Sequence, residues 1–316
     1  MSDSGLIAAE TPRDAQPGGH GLFTRCEIAW GRVRRWYLRT FRPAYVAAWR
    51  AKRTGQDQRF DADVIDSRDL KYIGPGCGIR FRREDDPYAR REHYGFARWG
   101  YAELIGFGML GLALLGGFAF LAGRVHGLFL VPALAAFLAT VEVLWFFRDP
   151  PRTPPADAAA LISPADGTVS DIETITDPDF AGPVLRISIF LSIFNVHVNR
   201  APRRGRVTAI RYFRGAFLDA RHADCARRNE QLWLDMTDAA TGAPIRVKQI
   251  SGAIARRIVC AVRAGDDLRI GDRYGMIKFG SRTDVLLPAD RISEVCVAVG
   301  AKVHGASTTL LRIKPS

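Results

Sequence analysis

LIGFGMLGLALLGGFAFLAG, residues 104 to 123, carries no charged side chain, and after Arg124-Val125-His126 a second apolar run, GLFLVPALAAFLATVEVLWFF, continues from 127 to 147. Crossing the hydrocarbon core of a bilayer as a helix takes about 20 apolar residues. Both runs meet that length, and so short a link folds them into a helical hairpin whose outer ends lie on one side. The glycines, Pro132 and Glu142 weaken each span, so three readings stay open. The hairpin crosses the bilayer, lies in one leaflet, or is buried within the protein. Arg90, Arg91 and Arg98 precede it and Arg148 and Arg152 follow it, whereas the link holds only Arg124. Basic flanks are retained on the inner side of a membrane, which places both ends at the cytoplasmic face. The runs begin far from Met1 and lack the short arrangement of a secretory leader, so no cleaved signal peptide is expected.

The 316 residues have a formal net charge of +12 and a pI near 9.9, which favours anionic partners. The stretch EIAWGRVRRWYLRTFRPAYVAAWR, 27 to 50, interleaves Trp30, Trp36, Tyr37, Phe41, Tyr45 and Trp49 with arginines. Rings beside cationic tips suit the headgroup zone of an anionic membrane, although a solvated basic extension would read the same. Pro43 breaks any single helix there. No nucleic-acid recognition motif accompanies it, so a nucleic-acid partner is not expected. Cys26, Cys77, Cys225, Cys260 and Cys296 are scattered, which gives neither metal-ligand spacing nor a disulfide framework and fits a reducing compartment.

Beyond the proline-rich exit RDPPRTPP, 148 to 155, short β-like segments separated by Gly, Pro and Asp take over. In VLRISIFLSIFNVHVNR, 184 to 200, Leu185, Ile187, Ile189, Leu191 and Ile193 recur with the two-residue period of a strand. RGRVTAIRYF, APIRVKQISG and RRIVCAV continue the pattern, and DARHADCARRNEQ is the expected short helix or long loop. The expected fold is therefore a mainly β, α+β domain over 151–316, preceded by the hairpin at 99–150 and a basic extension at 1–98. VGAKVHGASTTLLRI, 299 to 313, resembles the turn-rich strand pair of lipoyl or biotinyl carrier domains, which suggests carrier-like β-sandwich elements. No displayed lysine marks a carrier tip.

Three stretches place a reactive group beside a turn: Asp166 in ISPADGTV, His197 in IFNVHVNRAPRRG, and Ser281 after Gly280 in FGSR. Singly, Asp166 caps a turn, His197 fills a core and Gly280-Ser281 marks a bulge in the strand GMIKFGSRTDVLLP. Together they supply a nucleophile, a base and an orienting carboxylate, a set recognised by geometry and not by chain order. Ser281 is not in a Gly-x-Ser-x-Gly elbow, so an ordinary hydrolase has little support.

FFRDPPR, ISPADG, FLSIFNVHVNRAPRRG, ISGAIARRIVC and GMIKFGSRTDVLLP, in this order and spacing, resemble the short bacterial-type phosphatidylserine decarboxylase family over about residues 93 to 316. The resemblance implies a self-cleaving proenzyme whose Gly280–Ser281 bond breaks, with Ser281 becoming an amino-terminal pyruvoyl group. It also implies decarboxylation of phosphatidylserine to phosphatidylethanolamine through a Schiff base on that group, with no metal and no pyridoxal phosphate. The two cleavage fragments would form a heterodimer, and a higher oligomer is compatible. In this reading Ser281 attacks the Gly280 carbonyl, and His197 oriented by Asp166 is the expected base. Arg200, Arg203 and Arg204 are the expected binders of the lipid phosphodiester. Longer relatives imply a second histidine where Arg200 stands, and Asn229-Glu230-Gln231 replaces the family's Asn-Glu-Arg. Another serine phospholipid of archaetidylserine type, or a non-catalytic membrane-anchored carrier-like module, are the alternatives.

Overall fold

The computed structural model describes residues 22–73, 77–87, 94–222, 224–253, 257–278 and 280–315. Arg90 and Arg91 of the hairpin flank, residues 254–256 of the ISGAIARRIVC stretch and Phe279 lie outside the described residues.

The basic aromatic stretch forms α1 (Leu22–Phe41) and α2 (Pro43–Ala51), with Pro43 opening the second helix where its missing N–H costs nothing. Arg34 of α1 pairs with Asp66 and Asp69, while Trp30, Trp36 and Phe41 are left exposed. A small core of Phe60, Val64, Leu70, Ile73, Cys77 and Ile79 follows.

The two apolar runs are α3 (Tyr101–Arg124) and α4 (Leu130–Phe146), with mean hydropathies of 2.2 and 2.1 over their most apolar windows. At 1.5 Å per residue α3 is roughly 36 Å long, enough to cross a hydrocarbon core of about 30 Å. Its sides expose Met109, Leu112 and Phe120, and those of α4 expose Val131, Leu134 and Leu138. Water is a poor solvent for such a surface, and lipid a good one. The base of α4 is different, because Phe146 and Phe147 are buried against Val196, Val198, Val259 and Met276.

The β half contains β1 (Ala160–Ile162), β2 (Gly167–Thr176), β3 (Pro183–Leu191), β4 (Val198–Arg200), β5 (Gly205–Phe213), the short helix α5 (Cys225–Arg228), β6 (Gln231–Asp238) and β7 (Pro244–Ser251). Then come β8 (Arg257–Cys260), β9 (Asp267–Leu268), β10 (Arg273–Lys278), β11 (Ser281–Pro288), β12 (Ile292–Val295), β13 (Lys302–Val303) and β14 (Thr309–Ile313). An eight-stranded antiparallel sheet runs β13-β2-β3-β11-β7-β6-β5-β9, and two three-stranded sheets run β4-β10-β8 and β1-β14-β12. Alternation sends Ile187, Ile189, Leu191, Val247, Leu234 and Val285 to one face, where they make the main core with Tyr274, Ile277 and Leu310. The opposite face is charged: Arg246 is held by Asp177, Asp179 and Asp235.

Three strand readings change. GMIKFGSRTDVLLP is not one interrupted strand, because β10 and β11 belong to different sheets and Gly280-Ser281 is the corner between them. The 184–200 stretch likewise divides into β3 and β4. The two strands of 299–313 do not pair with each other: β13 joins β2, and β14 joins β1 and β12.

Two buried ion pairs bolt the helices to the sheet that carries this corner. Glu103 of α3 pairs with Lys278 of β10, and Glu27 of α1 lies 3.1 Å from Arg257 of β8. Burial, with the Arg257 charge adding to it, pushes the Lys278 ammonium down to about 8. Removing one member of a buried pair costs about 3–5 kcal/mol, because the other stays buried alone. Glu103→Ala should therefore lower the thermal unfolding midpoint in detergent, and the apolar double variant Glu103→Leu/Lys278→Met should regain most of it.

Candidate active site

Antiparallel pairing brings the sequence motifs to one end of the large sheet. There β2 begins after Ser163-Pro164-Ala165-Asp166, β3 ends at Leu191, β7 ends at Ser251 and β11 begins at Ser281. Ser281 sits opposite Leu191 on one side and Ser251 on the other. After Leu191 the chain turns through Ser192–Asn195, a turn closed by Ser192 N–H on the Asn195 side chain at 2.9 Å, and returns as the segment that carries His197.

Gly280 has φ +67°, in the left-handed region, and a Cβ added there would meet nothing within 4 Å. The position requires glycine for its backbone angle and not for space. Space is the issue at Gly252, where an added Cβ would lie 2.5 Å from the Gly280 carbonyl oxygen and 3.0 Å from its carbon. The carbonyl of the candidate scissile bond is thus packed against the end of β7. The Ser281 hydroxyl is fully buried and has no hydrogen-bond partner among the described residues.

His197 is fully buried, with its ring 4.3 Å from that of Phe146 at the base of the hairpin. Its Nδ1 is 2.9 Å from the Asn195 carbonyl oxygen, which can only accept, so the proton is on Nδ1. Nε2 therefore carries a lone pair, and it accepts the Gly280 N–H at 3.3 Å. Burial, helped by the Arg148 charge, pushes the imidazole down to about 4 and keeps it neutral at physiological pH. A neutral imidazole with its lone pair on the Gly280–Ser281 junction can take up a proton there.

The structure separates other expected groups from this centre. Asp166 does not orient His197: its carboxylate accepts from Arg152 (2.8 Å) and Gly305 N–H (2.7 Å) and lies 3.4 Å from His304 Nδ1. The backbone carbonyl of Asn195 does the orienting. Arg200, expected at a lipid phosphate, is buried and bound to Asp149 at 2.5 Å and the Pro150 carbonyl. Arg203 is buried on Asp238 and the carbonyls of Ala158 and Ala160. Both guanidiniums are consumed in holding the fold, and of the three only Arg204 is exposed. Sequence reasoning missed Phe146, the Asn195 carbonyl, Ser251 and Gly252. The last two lie within ISGAIARRIVC, whose glycine was the available signal. Among the described residues no group of three or more His, Cys, Asp and Glu side chains could hold a metal ion.

The family model for phosphatidylserine decarboxylase matches residues 141–311. A phosphatidylserine decarboxylase proenzyme of Rhodopirellula baltica is 41% identical over 245 residues, 77% of this chain and 98% of that protein. The chain belongs to the phosphatidylserine decarboxylase family. Proenzymes of the same name from Trichlorobacter lovleyi (48% identical, 58% of this chain and 82% of the relative) and Citrifermentans bemidjiense (42%, covering 67% and 93%) are further relatives. The matched region opens within α4 and runs to β14, so the family region contains the whole sheet end around Gly280 and Ser281.

The depressed His197 value carries a pH signature. Unfolded, its imidazole takes up a proton below pH 6.5, whereas the folded one resists until about pH 4. Stability is thus fully present above pH 6.5 and falls as the pH drops towards 4, by roughly 3 kcal/mol from this group. Thermal unfolding of the uncut Ser281→Ala protein should show that loss. Adding His197→Phe should flatten the curve over this window.

Proposed function

We propose that this chain is a self-processing decarboxylase that converts phosphatidylserine to phosphatidylethanolamine and CO2. The observation that carries this reading is the Gly280–Ser281 corner: a buried, unpaired serine hydroxyl follows a left-handed glycine whose N–H faces a neutral histidine. In this reading the chain divides into a basic extension (1–98), a membrane hairpin (99–150) and a decarboxylase domain (151–316).

Ser281 Oγ adds to the Gly280 carbonyl carbon and the C–N bond breaks, which turns the peptide bond into an ester. Loss of the Ser281 Cα proton then expels Gly280 as a carboxylate. The new amino terminus loses ammonia to water and is left as a pyruvoyl group. Ser281 suits that fate, since its hydroxyl is held in the sheet end with no competing partner among the described residues. The group supplies a ketone conjugated to a carbonyl, an electron sink for the pair left when CO2 departs. His197 is the proton acceptor during cleavage and a proton donor in turnover, and the Asn195 carbonyl fixes its tautomer. Asp166 is assigned to positioning, through Arg152 and Gly305.

The lipid character of the substrate is supported by where the hairpin ends. Trp145 Nε1 and Arg148 Nη2 both donate to the Phe194 carbonyl, at 3.2 and 2.9 Å, while Phe194 itself is 60% exposed. The turn that leads to His197 is thereby fixed to the base of the apolar helices. With Arg98, Arg148 and Arg152 at that base, the site faces the cytoplasmic surface of an anionic membrane. The fragments 1–280 and 281–316 stay together as a heterodimer, because β11 remains the strand between β3 and β7, and β13 and β14 stay paired to β2 and β1.

Intact-mass measurement under denaturing conditions should resolve the wild type into a fragment ending at Gly280 and one beginning with a blocked residue 281. Ser281→Ala should stay whole, and His197→Ala should slow cleavage by about 100-fold or more. Cleaved protein should form the ethanolamine lipid in phosphatidylserine liposomes. An active preparation made only of uncut chain with intact Ser281 would contradict the reading.

A further inference from the structure

Helix α1 sorts its side chains into three faces. At roughly 100° per residue, Glu27, Gly31, Arg34 and Leu38 share the first. It is turned to the protein: Gly31 is buried, Glu27 pairs with Arg257, and Arg34 pairs with Asp66 and Asp69. Trp30, Val33, Trp36, Tyr37 and Phe41 occupy a second arc, about 140° wide, in which no charged residue of the helix falls. Trp30 is 67% exposed, Trp36 60% and Phe41 59%, so this arc has no cover among the described residues. Along its edge Arg25, Arg32 and Arg39 recur every seven residues, exposed and without an acidic partner among the described residues. The helix is fixed at the foot of the hairpin. It packs against α3, and Glu27 ties it to β8, whose neighbour β10 holds the first turn of α3 through Lys278 and Glu103.

We propose that α1 is an interfacial helix that docks on an anionic lipid surface beside the hairpin, with its aromatic arc among the headgroups and Arg25, Arg32 and Arg39 on lipid phosphates. The inference rests on the reading of the hairpin as a membrane element, and it concerns a helix outside the matched family region 141–311. A helix lying in the membrane plane needs an apolar arc for the acyl boundary and cationic tips beside it that reach the phosphates. A helix that is merely solvated has no reason to separate its rings from its arginines. Charge complementarity favours lipid over a second copy, because a chain with a net charge of +12 repels its like. Selection by charge also distinguishes substrate from product. The serine phospholipid of the proposed reaction carries a carboxylate that makes it a net anion, and the ethanolamine phospholipid has lost it. Docking of α1 therefore follows the density of substrate in the surface.

Cys26 lies within the uncharged arc, and it and Cys296 are the exposed thiols among the described residues. A polarity-sensitive dye on Cys26 of the full chain, with Cys296→Ser, therefore reports docking in nanodiscs. Its emission should shift to the blue in phosphatidylcholine mixed with phosphatidylglycerol. The same shift should appear with phosphatidylserine, measured on Ser281→Ala so that the lipid is not consumed. In phosphatidylcholine alone or mixed with phosphatidylethanolamine the dye should stay in water. Salt at about 1 M, which screens charges beyond about 3 Å, should reverse the shift in the unaltered chain. Arg25→Gln/Arg32→Gln/Arg39→Gln should lower the docked-to-free ratio about fivefold per arginine and about 100-fold together. A dye moved to the exposed side of α3, by Met109→Cys with Cys26→Ser and Cys296→Ser, should report lipid in every disc. Water at Met109 would remove the membrane reading of the hairpin, and the docking with it. Lipid at Met109 with water at Cys26 in the anionic discs would overturn the docking alone. A shift that is equal in neutral discs and indifferent to salt and to the triple variant would overturn selection by charge. A shift in detergent that grows with protein concentration would assign the arc to a second copy and overturn the proposal.

Discussion

A serine hydroxyl sealed from water without a hydrogen-bond partner costs about 1–3 kcal/mol, and among the described residues the fold holds Ser281 in that condition. Pairing on both sides of β11 fixes its backbone, Gly252 closes on the preceding carbonyl, and Gly280 takes an angle that other residues adopt at a cost. In the proposed mechanism a polar group kept in this way is poised to react, because no native bond of its hydroxyl has to be broken before it attacks. The surrounding sheet supplies the stability that such a site consumes, through the long apolar face of β3, β11, β7 and β6.

The two apolar helices are continuous with this site and not appended to it. Phe146, the last residue of α4, covers the ring of His197, and Glu103 near the start of α3 neutralises Lys278, three residues from Ser281 in the chain. Both ends of the hairpin thus touch residues that flank the Gly280–Ser281 corner. A change in how the helices seat would reach His197 through Phe146 and β10 through Lys278, without needing any longer path.

Much of this was legible in the sequence, for reasons that differ by element. The hairpin could be read from length and the absence of charge, since few other structures accept such runs. β3 could be read from alternation at Leu185, Ile187, Ile189 and Leu191. The corner at Gly280-Ser281 was read as a flaw in one strand because both flanks have strand composition, and alternation does not report which sheet a strand joins. Arg200 and Arg203 looked like ligand-binding groups in a basic turn, yet their partners Asp149 and Asp238 lie 51 and 35 residues away in the chain. The Asp166–His197 pairing failed for a similar reason: a turn sequence shows that a carboxylate is present, not what it meets.

In the proposed mechanism Ser281 opens its own peptide bond by forming an ester with Gly280. Hydroxylamine added to freshly made precursor tests it most directly, since it intercepts esters under conditions that spare amides. Ester formation should give a larger fragment ending in a Gly280 hydroxamate and a smaller fragment beginning with unmodified Ser281, at the expense of the blocked terminus. A larger fragment that always ends in a free carboxylate, with a smaller fragment that begins with serine whether or not hydroxylamine is present, would mean hydrolysis by another route and would contradict it.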